Sequence, residues 1–238
     1  MIVYKYIRPD EIIISKVLEE MKIRFTQPSA LNDPFECFPC MTQVRDHWKN
    51  HAQSTVDSTL DEFMVTFRER VGILSLSKKW NNLLMWSHYG DSHKGFVLGF
   101  DRDDDFFAAE PGKTALKEVR YLKLRPVMLL PTQMNESEKL ELMSAIHLTK
   151  HPDWKYEKEM RSIAKVEFAD ETKIKGNNKI CLFKFPKDCV KEIILGCEME
   201  SSNIQKIIKI CQENYPSVKI FKAEKSETAF AIRRKKLK

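Results

Sequence analysis

The chain has 238 residues, 42% of them hydrophobic and 10% aromatic, which is enough apolar mass for one packed domain and argues against a disordered chain. The formal charge is +6, but Arg233-Arg234-Lys235-Lys236-Leu237-Lys238 holds five basic groups and leaves about +1 for the rest, so net charge does not mark the whole domain as a nucleic-acid binder. No apolar run reaches the ~18 residues that span a bilayer, and Met1-Ile2-Val3-Tyr4-Lys5 does not open a signal peptide, so a cytoplasmic protein away from the membrane is expected.

Ile2 to Ile7 has a strand pattern. Pro9-Asp10-Glu11 then starts a helix with Ile13, Ile14, Val17, Leu18 and Met21 at helical spacing. Ile23 to Thr26 is a short strand, and residues 27–40 form a loop with three prolines, long enough to suggest a functional segment. Leu60, Phe63, Met64, Phe67 and Val71 give an amphipathic helix. A buried strand follows over residues 73–77, a short helix over 81–89, and a strong strand over 95–100. More strand signal runs through 116–122, and 136–150 has a helical pattern.

Beyond residue 160 the sequence predicts strands at 160–168, 180–185, 190–195, 218–221 and 228–232. Ser201-Ser202-Asn203 offers a cap for a helix bearing Ile204, Ile207, Ile208 and Cys211. The pattern predicts a single α+β domain over residues 1–232, built on a mixed, largely antiparallel sheet flanked by helices. Residues 233–238 read as a basic tail, either a solvated terminus or a contact for phosphates.

The six cysteines do not form a disulfide framework in a chain of this class. Cys37-Phe38-Pro39-Cys40 has the spacing of a metal or redox pair, but no second pair accompanies it. Seven glycines occur, none in a dinucleotide or P-loop pattern, and no G-x-S-x-G elbow is present. These absences argue against a standard dehydrogenase, a P-loop nucleotidase and an α/β-hydrolase.

Three clusters concentrate the chemistry: Asn32-Asp33-Pro34-Phe35-Glu36, Met85-Trp86-Ser87-His88-Tyr89 and Trp154-Lys155-Tyr156-Glu157-Lys158-Glu159-Met160-Arg161. The first is a natural turn, yet Glu36 beside apolar residues must be paired or exposed. Ser75 and Ser77 share one face of their strand. Trp86, His88 and Tyr89 suit either a core or a planar ring ligand. Glu157, Glu159 and Arg161 alternate onto one strand face, where two carboxylates repel unless a cation neutralises them.

Together these clusters resemble a bacterial family known as domain of unknown function 2971. The matching features are Tyr4-Lys5-Tyr6, Asn32 to Glu36, Ser75-Leu76-Ser77, Met85 to Tyr89 with Gly95-Phe96, and Trp154 to Arg161. Met160 departs from the family pattern, which has an aromatic there. The family implies no activity, although its context suggests mobile elements or phage defence. In motif order the chain also resembles, more weakly, ADP-ribosyltransferases. That resemblance implies NAD as a substrate, with Glu159 catalytic and Glu157 and His88 beside it. It implies contacts to the nucleotide from Tyr4, Lys5, Tyr6, Asn32, Asp33, Ser75, Ser77, Trp86, Tyr89 and Arg161, with Trp86 or Tyr89 stacked on nicotinamide. The early strand departs from that pattern: it offers Lys5, with no arginine or histidine before Arg8.

Two other readings stay open. Asp33, Glu36, Glu157 and Glu159 carry oxygen ligands of the kind a Mg²⁺-dependent nuclease uses. A non-catalytic module recognising a nucleotide or a protein would use the same clusters for recognition.

Overall fold

The computed structural model of the protein describes residues 1–51, 64–65, 67–129, 134–176 and 178–237. Its centre is β4 (Phe96–Asp101), a strand whose Phe96 to Phe100 are all buried. Such a run has no solvent face, so it needs a neighbour on each edge and cover on both sides. Strands β1 (Ile2–Ile7) and β11 (Val190–Leu195) supply the edges, both antiparallel to it.

The full sheet has eight strands, in the order β13-β12-β11-β4-β1-β3-β8-β5. Its other members are β3 (Val71–Ser77), β5 (Lys117–Glu118), β8 (Glu159–Lys165), β12 (Lys219–Lys225) and β13 (Ile232–Lys236). Within this sheet only β11 and β12 pair in parallel. A three-stranded sheet, β2 (Lys22–Phe25), β10 (Asn178–Lys184) and β9 (Glu171–Lys175), stands beside it. A two-stranded ribbon joins β6 (Arg120–Tyr121) to β7 (Thr149–Lys150). The architecture is the expected α+β domain with a mixed, mostly antiparallel sheet.

The main core lies on one face of the large sheet. Leu74, Leu76, Met160, Phe96 and Leu98 meet Phe25 and Phe183 of the small sheet. Helix α1 (Glu11–Ile14) adds Ile14, and the π-helix that continues it, Ser15–Glu19, adds Val17 and Leu18. Asp10 caps α1 by accepting from the Ile12 and Ile13 amides at 3.0 and 3.2 Å. The π-helix breaks the expected periodicity, and Ile13 is left exposed. Ile207, Ile210 and Cys211 of a C-terminal helix (Ser201–Asn214) complete this core.

The opposite face of the sheet behaves differently. Register pairs Ser75 with Arg161 and Ser77 with Glu159, so two hydroxyls and two charges share a buried surface. Apolar cover there includes Met41, Val44, Ile73, Ile146, Leu148 and Ile163, with a third cluster around Tyr4, Tyr6, Trp86 and Val97. Helices α2 (Thr42–His51), α3 (Leu83–His88) and α4 (Glu136–His147) belong to the remaining cover.

Several expectations are corrected. The helix predicted to run to residue 150 stops at His147, and Thr149–Lys150 pair as a strand instead. The Ser201-Ser202-Asn203 segment is the first turn of its helix, and Glu200 holds the cap position without a side-chain bond. Of the helix expected around residues 60–71, Leu60 and Phe63 lie outside the described residues, while 64–65 and 67–69 are helical. The basic run is not a tail: 232–236 is β13, paired along its length with β12, and the strand expected at 228–232 is displaced onto it. Ile232 is buried, and Arg234 lies over Phe221 and Trp80 at 4.3 and 5.1 Å while pairing Glu192 at 2.6 Å. Arg234 therefore has inward partners, which a residue of a solvated tail would lack, while Arg233, Lys235 and Lys236 are exposed.

Candidate functional site

The loop over residues 27–40 turns sharply at the first cluster. Asp33 accepts from the Phe35 amide at 2.9 Å, and the Glu36 amide donates to the Asp33 carbonyl at 3.1 Å. Cys37 follows in the left-handed region at φ 53°. Successive side chains diverge as a result. Phe35 is 65% exposed, whereas Glu36 is 2% exposed.

The third cluster enters from the opposite direction. Pro152–Glu157 is a 3₁₀ turn ended by Lys158 at φ 47°, after which β8 begins at Glu159. The Ser77 hydroxyl donates to the Glu157 carbonyl at 2.6 Å and the Lys78 amide to the Lys158 carbonyl at 3.0 Å. Both contacts fix Glu157 and Glu159 side by side. The second cluster is placed by Asn82, which caps α3 at the Met85 amide and donates to the Tyr156 carbonyl, at 3.1 and 3.0 Å.

These elements converge on a buried charge network. Lys150 reaches Glu157 at 2.6 Å, Glu36 at 2.7 Å and Glu159 at 3.4 Å. Arg161, completely buried, grips both oxygens of Glu159 at 2.7 and 2.9 Å and also pairs Glu36. Its remaining nitrogen donates to the His147 carbonyl at 2.7 Å. Tyr89 donates to Glu157 at 2.6 Å and accepts from the Asn32 amide at 3.1 Å. The Glu159 amide donates to the Tyr121 hydroxyl at 2.9 Å. All three clusters thus meet through Asn32, Tyr89 and Glu157.

Three carboxylates against two cations leave one excess negative charge in a dry setting. The network distributes it unevenly. Burial acts to raise the Glu159 carboxyl, but Arg161 and Lys150 outweigh it and hold the group down at about 2. Glu157 is pushed upward by burial and by the neighbouring Glu159. Burial acts to lower Lys150, yet Glu159, Glu36 and Glu157 raise it. Burial and Glu157 together push the Tyr89 phenol up. Glu157 is therefore the member shifted toward protonation and Glu159 the fixed anion.

A cavity of about 580 Å³ opens directly above Lys150 and Glu36. Phe35, Phe38 and Trp154 give it aromatic walls, and Lys123 and Arg125 stand at its side. The Arg125 guanidinium lies 6.0 Å from the Phe35 ring and 5.7 Å from the Phe38 ring, and the Lys150 ammonium 4.6 Å from Trp154. Two of the cavity's acids are spent, Glu36 on the network and Asp33 on its own turn, while Asp153 is exposed and its backbone amide donates to His151 Nδ1 at 3.4 Å. Among the described residues, Lys123 and Arg125 have no ion-pair partner.

The sequence-predicted residues therefore separate into groups. Asn32 and Asp33 line the cavity. Glu157, Glu159, Arg161 and Tyr89 form the network below it, with Ser75 hydrogen-bonded to Glu159. His88 sits outside, its Nδ1 3.0 Å from the Tyr156 hydroxyl. Ser77, Tyr4, Tyr6 and Trp86 are structural. Trp86 is fully buried, donates to the Trp80 carbonyl at 2.7 Å and meets Tyr6 edge to face, so it has no ring face for nicotinamide. Lys5 donates to the Ser75 carbonyl at 3.0 Å inside the fold, and burial brings its amine down to about 8.

Sequence reasoning missed Lys150, Arg125, Lys123 and Tyr121. Lys150 sits at the end of what reads as helix, and the other three fall in short, aperiodic segments. Glu36 carried a usable signal, an acid beside apolar residues that demands a partner.

The second and third clusters, now joined through Tyr89 and Glu157, bound the comparison with known families. Residues 85–162 match the family model described as "Protein of unknown function (DUF2971)". The matched segment runs from Met85 to Ser162 and so contains Tyr89, Lys150, Glu157, Glu159 and Arg161, but not the Asn32 to Glu36 turn. No curated protein and no solved structure matches the chain.

Among the described residues, no helix is long and apolar enough to cross a membrane, and no group of three or more His, Cys, Asp or Glu residues is arranged to hold a metal ion. Of the carboxylates considered as Mg²⁺ ligands, Glu36, Glu157 and Glu159 pair instead with Lys150 or Arg161.

Proposed function

We propose that the cavity above Lys150 binds a nucleotide, a planar ring joined to an anionic group. The observation that carries this reading is the pairing of aromatic rings lining the cavity with two cations, Lys123 and Arg125, that have no ion-pair partner among the described residues. Phe35, Phe38 and Trp154 offer surfaces for a ring, while Lys123 and Arg125 offer charge and a planar donor fork to a phosphate. A volume of about 580 Å³ falls in the range of small-ligand sites. The network beneath is already satisfied, so it acts as a rigid floor.

Titration calorimetry with NAD, ADP-ribose and adenine nucleotides tests the reading. Saturable binding by at least one nucleotide, weakened about tenfold or more in Arg125→Ala as expected for loss of a bidentate phosphate contact, supports it. Failure of all of them to bind, or unchanged binding by Arg125→Ala, overturns it.

A second reading assigns the cavity NAD cleavage of the ADP-ribosyltransferase kind. Its specific support is Glu157, a carboxyl raised above its ordinary range and linked to the cavity residue Asn32 through Tyr89. Glu159 is poorly placed for the role its position in the motif implies, because both oxygens are held by Arg161. Nicotinamide release from NAD that vanishes in Glu157→Gln, with folding preserved, supports this reading. No release by the folded wild type removes it and leaves binding without turnover.

A further inference from the structure

We propose that the β12–β13 hairpin, on a part of the fold separate from the cavity, is a docking surface for single-stranded nucleic acid. The hairpin holds a dense row of cations in fixed register. Lys222 faces Lys235, Glu224 faces Arg233, and Phe221 faces Lys236. Directly opposed residues of an antiparallel pair have Cβ atoms about 5 Å apart, and like charges there destabilise the pair. Basic residues on an edge strand also deter strand-to-strand aggregation. That purpose requires charge on the edge, but not a lysine set opposite another lysine.

The strand is held firmly enough to present its charges. Ile232 is buried, Arg234 is clamped by Glu192, Trp80 and Phe221, and the Leu237 amide donates to the Ile220 carbonyl at 2.8 Å. Arg233, Lys235 and Lys236 are exposed, and among the described residues they have no ion-pair partner. Such a row suits a phosphate backbone, whose charges are evenly spaced along the chain.

A second feature adjoins it. The turn between the strands carries Phe230, whose side chain is fully exposed. The same turn forms one wall of a groove of about 560 Å³, with Leu83, His93, Cys197, Ala231 and Ile232 among its other lining residues. Ile232, which lines that groove, shares its face of the edge strand β13 with Arg234 and Lys236, while Arg233 and Lys235 project from the other face of the same strand. A mainly apolar groove with a free aromatic ring, next to a row of cations, combines a place for a base with a place for its phosphates. Stacking on aromatic rings and backbone tracking by cations are the two components of sequence-tolerant single-strand binding. A duplex, with its bases stacked inside, would use only the cations.

Fluorescence polarisation of labelled oligonucleotides of ~12 nucleotides, within the known range of single-strand site sizes, tests the proposal on the full chain. Single-stranded RNA or DNA should bind saturably, with a log–log salt slope that falls by about 0.7 for each phosphate contact removed. Arg233→Gln with Lys235→Gln should weaken binding about tenfold or more and lower the slope by about 1.4. Phe230→Ala should weaken single strands about tenfold and leave any duplex binding unchanged. Glu224→Gln should tighten binding. Arg125→Ala should leave it unaltered, which separates this surface from the nucleotide cavity. All these side chains are exposed, and equal melting temperatures confirm folding. Absence of binding at low salt, equal binding by the double variant, or displacement of the oligonucleotide by polyglutamate as readily as by unlabelled oligonucleotide would overturn the proposal.

Discussion

Arg161→Met is the sharpest perturbation of the buried network. The arginine is completely buried and supplies bonds to Glu36, both oxygens of Glu159 and the His147 carbonyl. Methionine of similar length removes all of them and leaves Lys150 as the only cation facing three carboxylates. Breaking a buried pair from one side costs about 3–5 kcal/mol, because the abandoned charge stays buried. The depression of Glu159 from its ordinary 4.5 to about 2, to which Arg161, Lys150 and Ser75 all contribute, corresponds to about 3 kcal/mol for those partners together at 1.36 kcal/mol per unit. In a domain of this size that lowers the melting temperature by about 6–20 °C. Thermal unfolding followed by circular dichroism reads it directly.

The pH dependence supplies a second signature. A carboxyl depressed in the folded state contributes stability that is complete above its unfolded value and lost as pH falls through the folded one. Wild-type stability should therefore decline between pH 4.5 and about 2. Arg161→Met should show a smaller decline. Adding Glu36→Gln and Glu159→Gln to Arg161→Met should recover much of the loss at neutral pH, since no uncompensated carboxylates remain. A single variant that melts within ~2 °C of wild type would refute the idea that the network is held by charge compensation.

Other substitutions test separate parts of the fold. Lys5→Met removes a buried amine brought down to about 8; in wild type the unfolded chain binds the extra proton between pH 8 and 10.5, so stability should rise with pH across that window, and urea titrations of the variant should lack that rise. Gly95→Ala puts a Cβ 2.2 Å from the Ile7 carbonyl oxygen and 2.9 Å from that of Gly90. Neither backbone can yield cheaply, so a loss of about 1–3 kcal/mol or more is expected in urea unfolding. Trp86→Ala should cost about 3–5 kcal/mol in the same assay while leaving nucleotide affinity within about twofold per surviving folded molecule, in keeping with its place in the core.

The elements legible in the sequence were those with an unbroken period. The all-apolar run of β4, the strand patterns of β1 and β3, and the start of α1 are local patterns that the structure keeps, although the π-helix breaks the periodicity that follows α1. Lys150 was hidden because the helical pattern of α4 runs on in sequence past the point where Thr149 leaves to pair with Arg120. β13 was hidden for the opposite reason. Its composition reads as solvated, and only the distant Glu192, Trp80 and Phe221 reveal that Arg234 has somewhere to pack. The three clusters were visible as unusual chemistry, and Glu36 as an acid needing a partner. Their division into floor, wall and core was not visible, because Trp86 and Trp154 look alike in sequence and differ only in what surrounds them. Likewise Glu157 and Glu159 are two residues apart, yet Arg161 fixes one as an anion while burial and that anion push the other's carboxyl upward.

A crystal of the protein soaked with ADP-ribose would test the nucleotide reading most directly. Density for the ligand between Phe35, Phe38 and Trp154, with a phosphate against Arg125 or Lys123 and the Lys150 network unmoved, is the predicted result. An empty cavity at a concentration that saturates the protein in solution, or a ligand seated elsewhere on the fold, would contradict it.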